Sequence, residues 1–378
     1  MNRVPAVRVE PFSIEVDETV LADLRERLAR TRLPGPAPGE PWGHGTDLAY
    51  LSDLLAYWRD GFDWRAQERA LNAFPQFVAD VDDVRVHFVH VRGGGIPLIL
   101  SHGWPSAFVE FLPLIPLLTP VFDVVIPSLP GYGFSSRPPR TLTTRDTAAL
   151  WHKLMRGLGY ERYGAHGGDW GAAVTTYMAL DDPAPMIGIH FATLDNAPDA
   201  PPETAAERAY LAAVQEWDAR ERGYSFQQST KPQTLAYGLT DSPAGLAAWI
   251  LEKWRSWADS GGDLDARFGR DFLLTLLTVY WATGTIGLSI RDYLDNYAAG
   301  TATLDEFVAV PTGIANFHSN LVSEGKLPRE WAERLYDVRR FTDMPRGGHF
   351  AAAEEPELLA ADLTAFFSDL VAVDQPLA

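Results

Sequence analysis

His166-Gly167-Gly168-Asp169-Trp170-Gly171 sets an acidic side chain among glycines, where a strand pattern gives way to a helical one. The spacing is small-x-nucleophile-x-small, with Asp where a serine hydrolase has Ser. A sharp strand-to-helix turn strains the nucleophile's backbone and crowds the residues two positions either side. Gly167 and Gly171 remove the side chains that would clash there. The following helix points its positive end at Asp169 and favours the ionised carboxylate. Such a carboxylate can displace at a saturated carbon without first losing a proton, and the ester it leaves can be hydrolysed. An Asp that only caps a helix looks the same locally. The assignment therefore draws its weight from two companions.

The first is Ser101-His102-Gly103-Trp104-Pro105, which follows the strand-like run Ile96-Pro97-Leu98-Ile99-Leu100. In this position, about 65 residues before the nucleophile, a loop donates one backbone N–H to an oxyanion, and the residue after the nucleophile donates the other. Those residues are Trp104 and Trp170. The second is Gly347-Gly348-His349-Phe350, late in the chain. Of the nine histidines, His87, His90 and His152 fall within a strand or a helix, and His166 and His318 are read as packed residues. His349 sits on a strand-to-helix loop after two glycines, where a general base for the nucleophile must lie.

These residues need a scaffold. Val84–Val91 alternates as a half-buried strand does, and Ile96–Ser101 and Phe122–Pro127 read as buried strands. Thr144–Leu158 has helical spacing, Tyr163–His166 is a strand, Gly171–Leu180 a helix and Met186–Thr193 a strand. Residues 197–304 break this alternation and read as largely helical, with one long helix over Ser242–Asp259 and another over Asp271–Gly287. A strand at Phe307–Ala315, a helix at Pro328–Leu335, a strand at Val338–Asp343 and a helix at Glu355–Leu370 close the chain. The expected class is α/β, with a mostly parallel central sheet covered by helices on both faces and a helical cap inserted. Residues 1–80 carry amphipathic helix signals and Pro/Gly breaks, read as an N-terminal meandering extension. Residues 81–196 and 305–378 form the two parts of the core.

Composition narrows the chemistry. The 378 residues carry a formal net charge of −18, which argues against nucleic acid and against anionic lipid. There is no cysteine, so thiolate and disulfide chemistry are excluded. No run approaches the ~18 apolar residues of a spanning helix, and a cytoplasmic protein that binds no membrane is expected. No metal or cofactor motif occurs, and no Gly-x-Ser-x-Gly, which sets a serine esterase aside. Twelve Trp, 13 Tyr and 19 Phe can furnish a large core or an apolar pocket.

In HGWP, GGDWG and RGGHFAAAEEPELLAAD together, the chain resembles the microsomal-type epoxide hydrolases and their soluble bacterial and fungal relatives. The likeness extends from PFSIEVDETVLADLRERLARTRLP through GYSFQQSTKPQTLAYGLTDSPAGLAAWILEKW to YWATGTI, nearly the whole chain. It implies an α/β-hydrolase fold and a small apolar epoxide and water as substrates. It implies attack by Asp169, hydrolysis of the ester by water that His349 activates, and two cap tyrosines, here Tyr224 and Tyr293, as proton donors to the leaving oxygen. One position departs from the family pattern. The acid that steadies the base is matched by Asn320 in Phe317-His318-Ser319-Asn320-Leu321. An amide can orient a histidine without supplying charge. Alternatively Glu324 or Asp195 substitutes, or turnover is lost. A triad that is amide-supported or has moved is ranked first, because the nucleophile, base and tyrosines remain.

Other outcomes stay open at this level: a haloalkane dehalogenase with the same Asp–His pair, an epoxide-opening cyclase of the same fold, or a non-catalytic binding protein. A homodimer is equally open.

Overall fold

The computed structural model describes residues 7–192, 194, 201–301, 306–317 and 327–374. They form a nine-stranded sheet in the order β1-β2-β3-β5-β4-β6-β7-β8-β9. The strands are β1 (Val9–Phe12), β2 (Gln76–Val81), β3 (Val84–Val91), β4 (Ile96–Ser101), β5 (Phe122–Pro127), β6 (Tyr163–Gly167), β7 (Met186–Phe191), β8 (Val308–Asn316) and β9 (Tyr336–Asp343). Pairings from β5 through β9 are parallel, and β1, β2 and β3 add an antiparallel edge. Burial explains the composition of the centre. Every residue of β5 and β6 is buried, as a strand covered on both faces requires.

Two strands lie where the sequence suggested only helices and breaks. β1 and β2 belong to the N-terminal extension, and β2 forms a hairpin with β3, Val81 opposite Val84, through a turn in which Asp82 takes φ +53°. β2 is buried at four of its six positions, so its core face carries no clean alternation to read. The helix expected over 328–335 is a single turn, Arg329–Ala332. Tyr336 then enters β9 earlier than expected, because it pairs with Val308 and its hydroxyl meets Thr176 Oγ1 at 3.0 Å.

The segment between β7 and β8 is helical from Ala205 to Ala299. Its two apolar helices, Pro243–Trp257 and Arg270–Thr283, bury Leu246, Ile250, Leu251 and Trp254 on one and Leu273, Leu274, Leu276 and Leu277 on the other. These side chains belong to the same continuous apolar cluster as the sheet and the N-terminal helices. The helix Leu48–Asp60 contributes Leu51, Leu54, Leu55 and Trp58, and Trp58 donates its indole N–H to Thr278 Oγ1 at 3.0 Å. Among the described residues, no single helix is long and apolar enough to cross a membrane.

The sheet positions the chemistry through register. Ser101, the last residue of β4, sits beside Gly167, the last of β6. The loops that leave these strands therefore start side by side at the carboxyl edge, where parallel sheets present their ligand sites.

Candidate active site

Asp169 sits on the turn between β6 and the helix Trp170–Asp181 with φ +53° and ψ −131°, a strained conformation for a residue with a side chain. Close packing makes the turn possible. A Cβ on Gly171 would lie 1.9 Å from the Ser101 carbonyl oxygen, and one on Gly167 would lie 2.1 Å from that of Gly171. The two glycines thus act as the sequence implied. The strained backbone lifts the carboxylate above the sheet, and its side chain keeps 18% of its surface exposed, enough to meet a small molecule.

The two carboxylate oxygens have different surroundings. Oδ1 accepts from the backbone N–H of Trp104 at 2.8 Å and from that of Trp170 at 2.7 Å. Oδ2 lies 3.5 Å from His349 Nε2. Oδ1 is therefore held where two N–H groups would stabilise negative charge, and Oδ2, which accepts from neither of those donors, faces the imidazole. The four residues singled out in three separate segments come together at one point.

His349 is fixed by its loop. Its backbone N–H donates to the Trp257 carbonyl at 3.0 Å, and its ring packs on the Trp257 indole with centroids 4.9 Å apart. Glu354, buried, collects the loop's amides: Oε1 accepts from Phe350 N at 2.9 Å, and Oε2 from Gly348 N at 3.1 Å and Asp259 N at 2.7 Å. Burial raises the Glu354 carboxyl, and these N–H groups and Arg267 oppose that shift. Sequence reasoning missed Trp257 and Glu354. Trp257 lies three residues after Trp254 on an apolar helix face, where nothing separates it from core. Glu354 had a signal: an acid five residues after the base, in the turn that follows its glycines.

Above the carboxylate stands a group of aromatic rings. Tyr224, on the helix Gly223–Thr230, stacks on Trp104 with centroids 5.5 Å apart and planes within 9°. Tyr293, on the helix Arg291–Ala299, meets Trp104 and Trp170 edge-on at 5.7 and 5.0 Å. The two phenols are hydrogen-bonded to each other. Burial, the neighbouring Tyr224 phenol and the Asp169 charge hold the Tyr293 hydroxyl well above the usual phenol value, so it stays protonated. The Lys253 ammonium lies 4.8 Å from the centre of the Tyr224 ring and pairs with Glu252 at 2.5 Å. Beneath Tyr293, the buried Arg137 binds Asp292 at 2.5 Å and Asp295 at 2.7 Å and anchors the tyrosine's helix to the core.

His102 and His166 line the space around Asp169 but are structural. His102 Nε2 accepts from Leu129 N at 3.2 Å, and burial lowers its imidazole to about 4. His166 faces His190 with Nδ1 atoms 3.0 Å apart, and His190 Nε2 meets Asp362 at 3.0 Å. The packed reading of His166 holds. Asn320, Glu324, Asp195 and His318 lie outside the described residues.

A family model for the N terminus of epoxide hydrolases matches residues 9–111, and one for the α/β-hydrolase fold matches residues 96–236. Epoxide hydrolase 1 of Sus scrofa is 36% identical over 95% of this chain and 88% of its own length. Among solved structures, the juvenile hormone epoxide hydrolase of the silkworm Bombyx mori superposes with a TM-score of 0.86 at 31% identity, covering 98% of this chain and 96% of that one. The Aspergillus niger epoxide hydrolase gives 0.86 at 29% identity, with 97% of each chain covered.

Proposed function

The chain belongs to the epoxide hydrolase family of the α/β-hydrolase fold, and from that premise we propose that it opens a small apolar epoxide to a vicinal diol in two steps at Asp169. In the first, Asp169 Oδ2 displaces at an epoxide carbon. The carbon–oxygen bond of the ring breaks, and the departing oxygen takes a proton from the Tyr224–Tyr293 pair. In the second, water loses a proton to His349 Nε2 and its oxygen bonds to Asp169 Cγ. The oxyanion on Oδ1 is held by the N–H groups of Trp104 and Trp170. When the adduct collapses, the alkoxide leaves with the proton from His349, and the acid on Asp169 ionises as the phenolate regains its proton.

One observation carries this reading: Oδ1 takes two backbone N–H bonds while Oδ2 faces the imidazole at 3.5 Å. The paired phenols favour an epoxide over a haloalkane, since a halide leaves without a proton. The aromatic walls suit an apolar substrate. We read residues 197–304 as the cap that brings the phenols over the nucleophile, and the cytoplasm as the compartment. In the triad, Asn320, Glu324 or Asp195 supports His349.

The test is chemical trapping. The His349→Gln variant, mixed with a styrene-oxide-like epoxide, should gain the mass of one substrate, and peptide mapping should place it on Asp169. A variant that gains no mass, or carries the adduct elsewhere, contradicts the assignment.

A further inference from the structure

Asp169 borders two kinds of surroundings. The phenols pack against Trp104 and Trp170. Beside the carboxylate is a small recess lined by Trp104, Ser106, Glu110, His102, His166 and Ala192, and bounded by Asp169 and His349. Neither Tyr224 nor Tyr293 belongs to its lining. The open space holds about one water molecule and is too small for an organic substrate.

Glu110 stands out in this recess. It lies in the turn Phe108–Leu114, within the apolar run Phe-Val-Glu-Phe-Leu-Pro-Leu, and is 7% exposed. A buried carboxyl is costly and calls for a partner. Among the described residues no Lys or Arg forms an ion pair with it, and Ser106 is its hydrogen-bonding neighbour. Burial, opposed by that serine, pushes its carboxyl up to about 7, and the charges of His349 and Asp169 both reach it. Near neutrality the group can therefore both donate to and accept from a water.

We propose that this recess is the binding site of the water that hydrolyses the Asp169 ester, with Glu110 as its positioning residue. The inference rests on the two-step reading above. Water seated there shares the recess with the Asp169 carboxyl and with His349. Its oxygen bonds to Asp169 Cγ, its proton passes to His349 Nε2, and the Cγ–O bond to the alkyl group then breaks. Glu110 keeps its own proton inventory unchanged across the step. It holds the water's orientation and does not touch the reacting carbon.

The test separates the two steps by rapid mixing of the intact protein with a styrene-oxide-like epoxide, following tryptophan fluorescence and protein mass. Glu110→Gln should leave ester formation within about 2-fold of wild type and slow ester hydrolysis by about 10-fold to 100-fold, so that the alkylated protein accumulates. Ala192→Val, which fills the recess and leaves the carboxyl in place, should do the same and carries the test if the first variant does not fold. Hydrolysis at the wild-type rate in both, or equal loss in both steps, overturns the proposal. His349→Gln is the reference. If it accumulates ester and the two recess variants do not, the role of Glu110 falls alone. If it too forms no ester, the two-step reading falls.

Discussion

The two oxygens of Asp169 are equivalent in the free amino acid and inequivalent here, because two N–H groups hold one and an imidazole faces the other. In the proposed reaction the same inequality sets the order of the steps, and the phenols supply the proton for ring opening. Replacing Tyr224 or Tyr293 by Phe leaves one donor, so each variant should form the ester about 10-fold to 100-fold more slowly. The double variant should lose about 10³-fold or more. Stopped-flow measurement of the first phase checks this. Glu110 gives a second residue-scale expectation. Its folded value, about 7, lies above the ordinary value of 4.5. The folded state therefore favours the protonated acid. This stabilisation is complete below pH ~4.5 and disappears as pH rises through ~7. Relative to Glu110→Gln, the wild type should lose up to ~3 kcal/mol across that window, at about 1.4 kcal/mol per pH unit. Thermal melts at pH 5 and pH 8 measure the difference. At this scale the sequence was informative where chemistry is local. Asp169, Trp170 and the glycines share six residues, and His349 has its own pair of glycines. Glu110 was overlooked although a lone acid inside an apolar run is a visible anomaly.

At the scale of elements, the site depends on loops pinned by long-range contacts. Glu354 is the clearest case, since one carboxyl satisfies three backbone N–H groups in the segments that carry His349 and Asp259. Glu354→Ala leaves the Gly348 and Phe350 donors buried without partners, at about 1–3 kcal/mol each before relaxation, and releases the part-buried Asp259 N–H. The expected result is a clear fall in Tm and slower ester hydrolysis, partly restored in Glu354→Gln, and a melt with a two-phase kinetic trace tests both. Most core elements were legible because their periodicity is strong, as in Val84–Val91 and Pro243–Trp257. β2 was not, because burial on both faces erases its alternation. β1 was not, because four residues do not establish a period and only pairing with β2 makes them a strand.

At the scale of the molecule, the N-terminal extension, the core and the helical insertion share one apolar cluster. They should therefore unfold together. Trp58, on an N-terminal helix, is 3% exposed and bonds Thr278 on an insertion helix. Trp58→Ala should cost about 3–5 kcal/mol and shift a single transition seen alike by fluorescence and circular dichroism in urea. Separate transitions would mean that the insertion is held independently of the extension. No periodicity announces such a contact, because it joins residues 220 positions apart.

The most direct test of the covalent reading is a single turnover in ¹⁸O-water with enzyme in excess over a styrene-oxide-like epoxide. Attack of water on Asp169 Cγ puts the heavy oxygen into the Asp169 carboxyl and leaves the first diol unlabelled. Label in that first diol, with none in the Asp169 peptide, would mean that water opens the ring directly and that no ester forms.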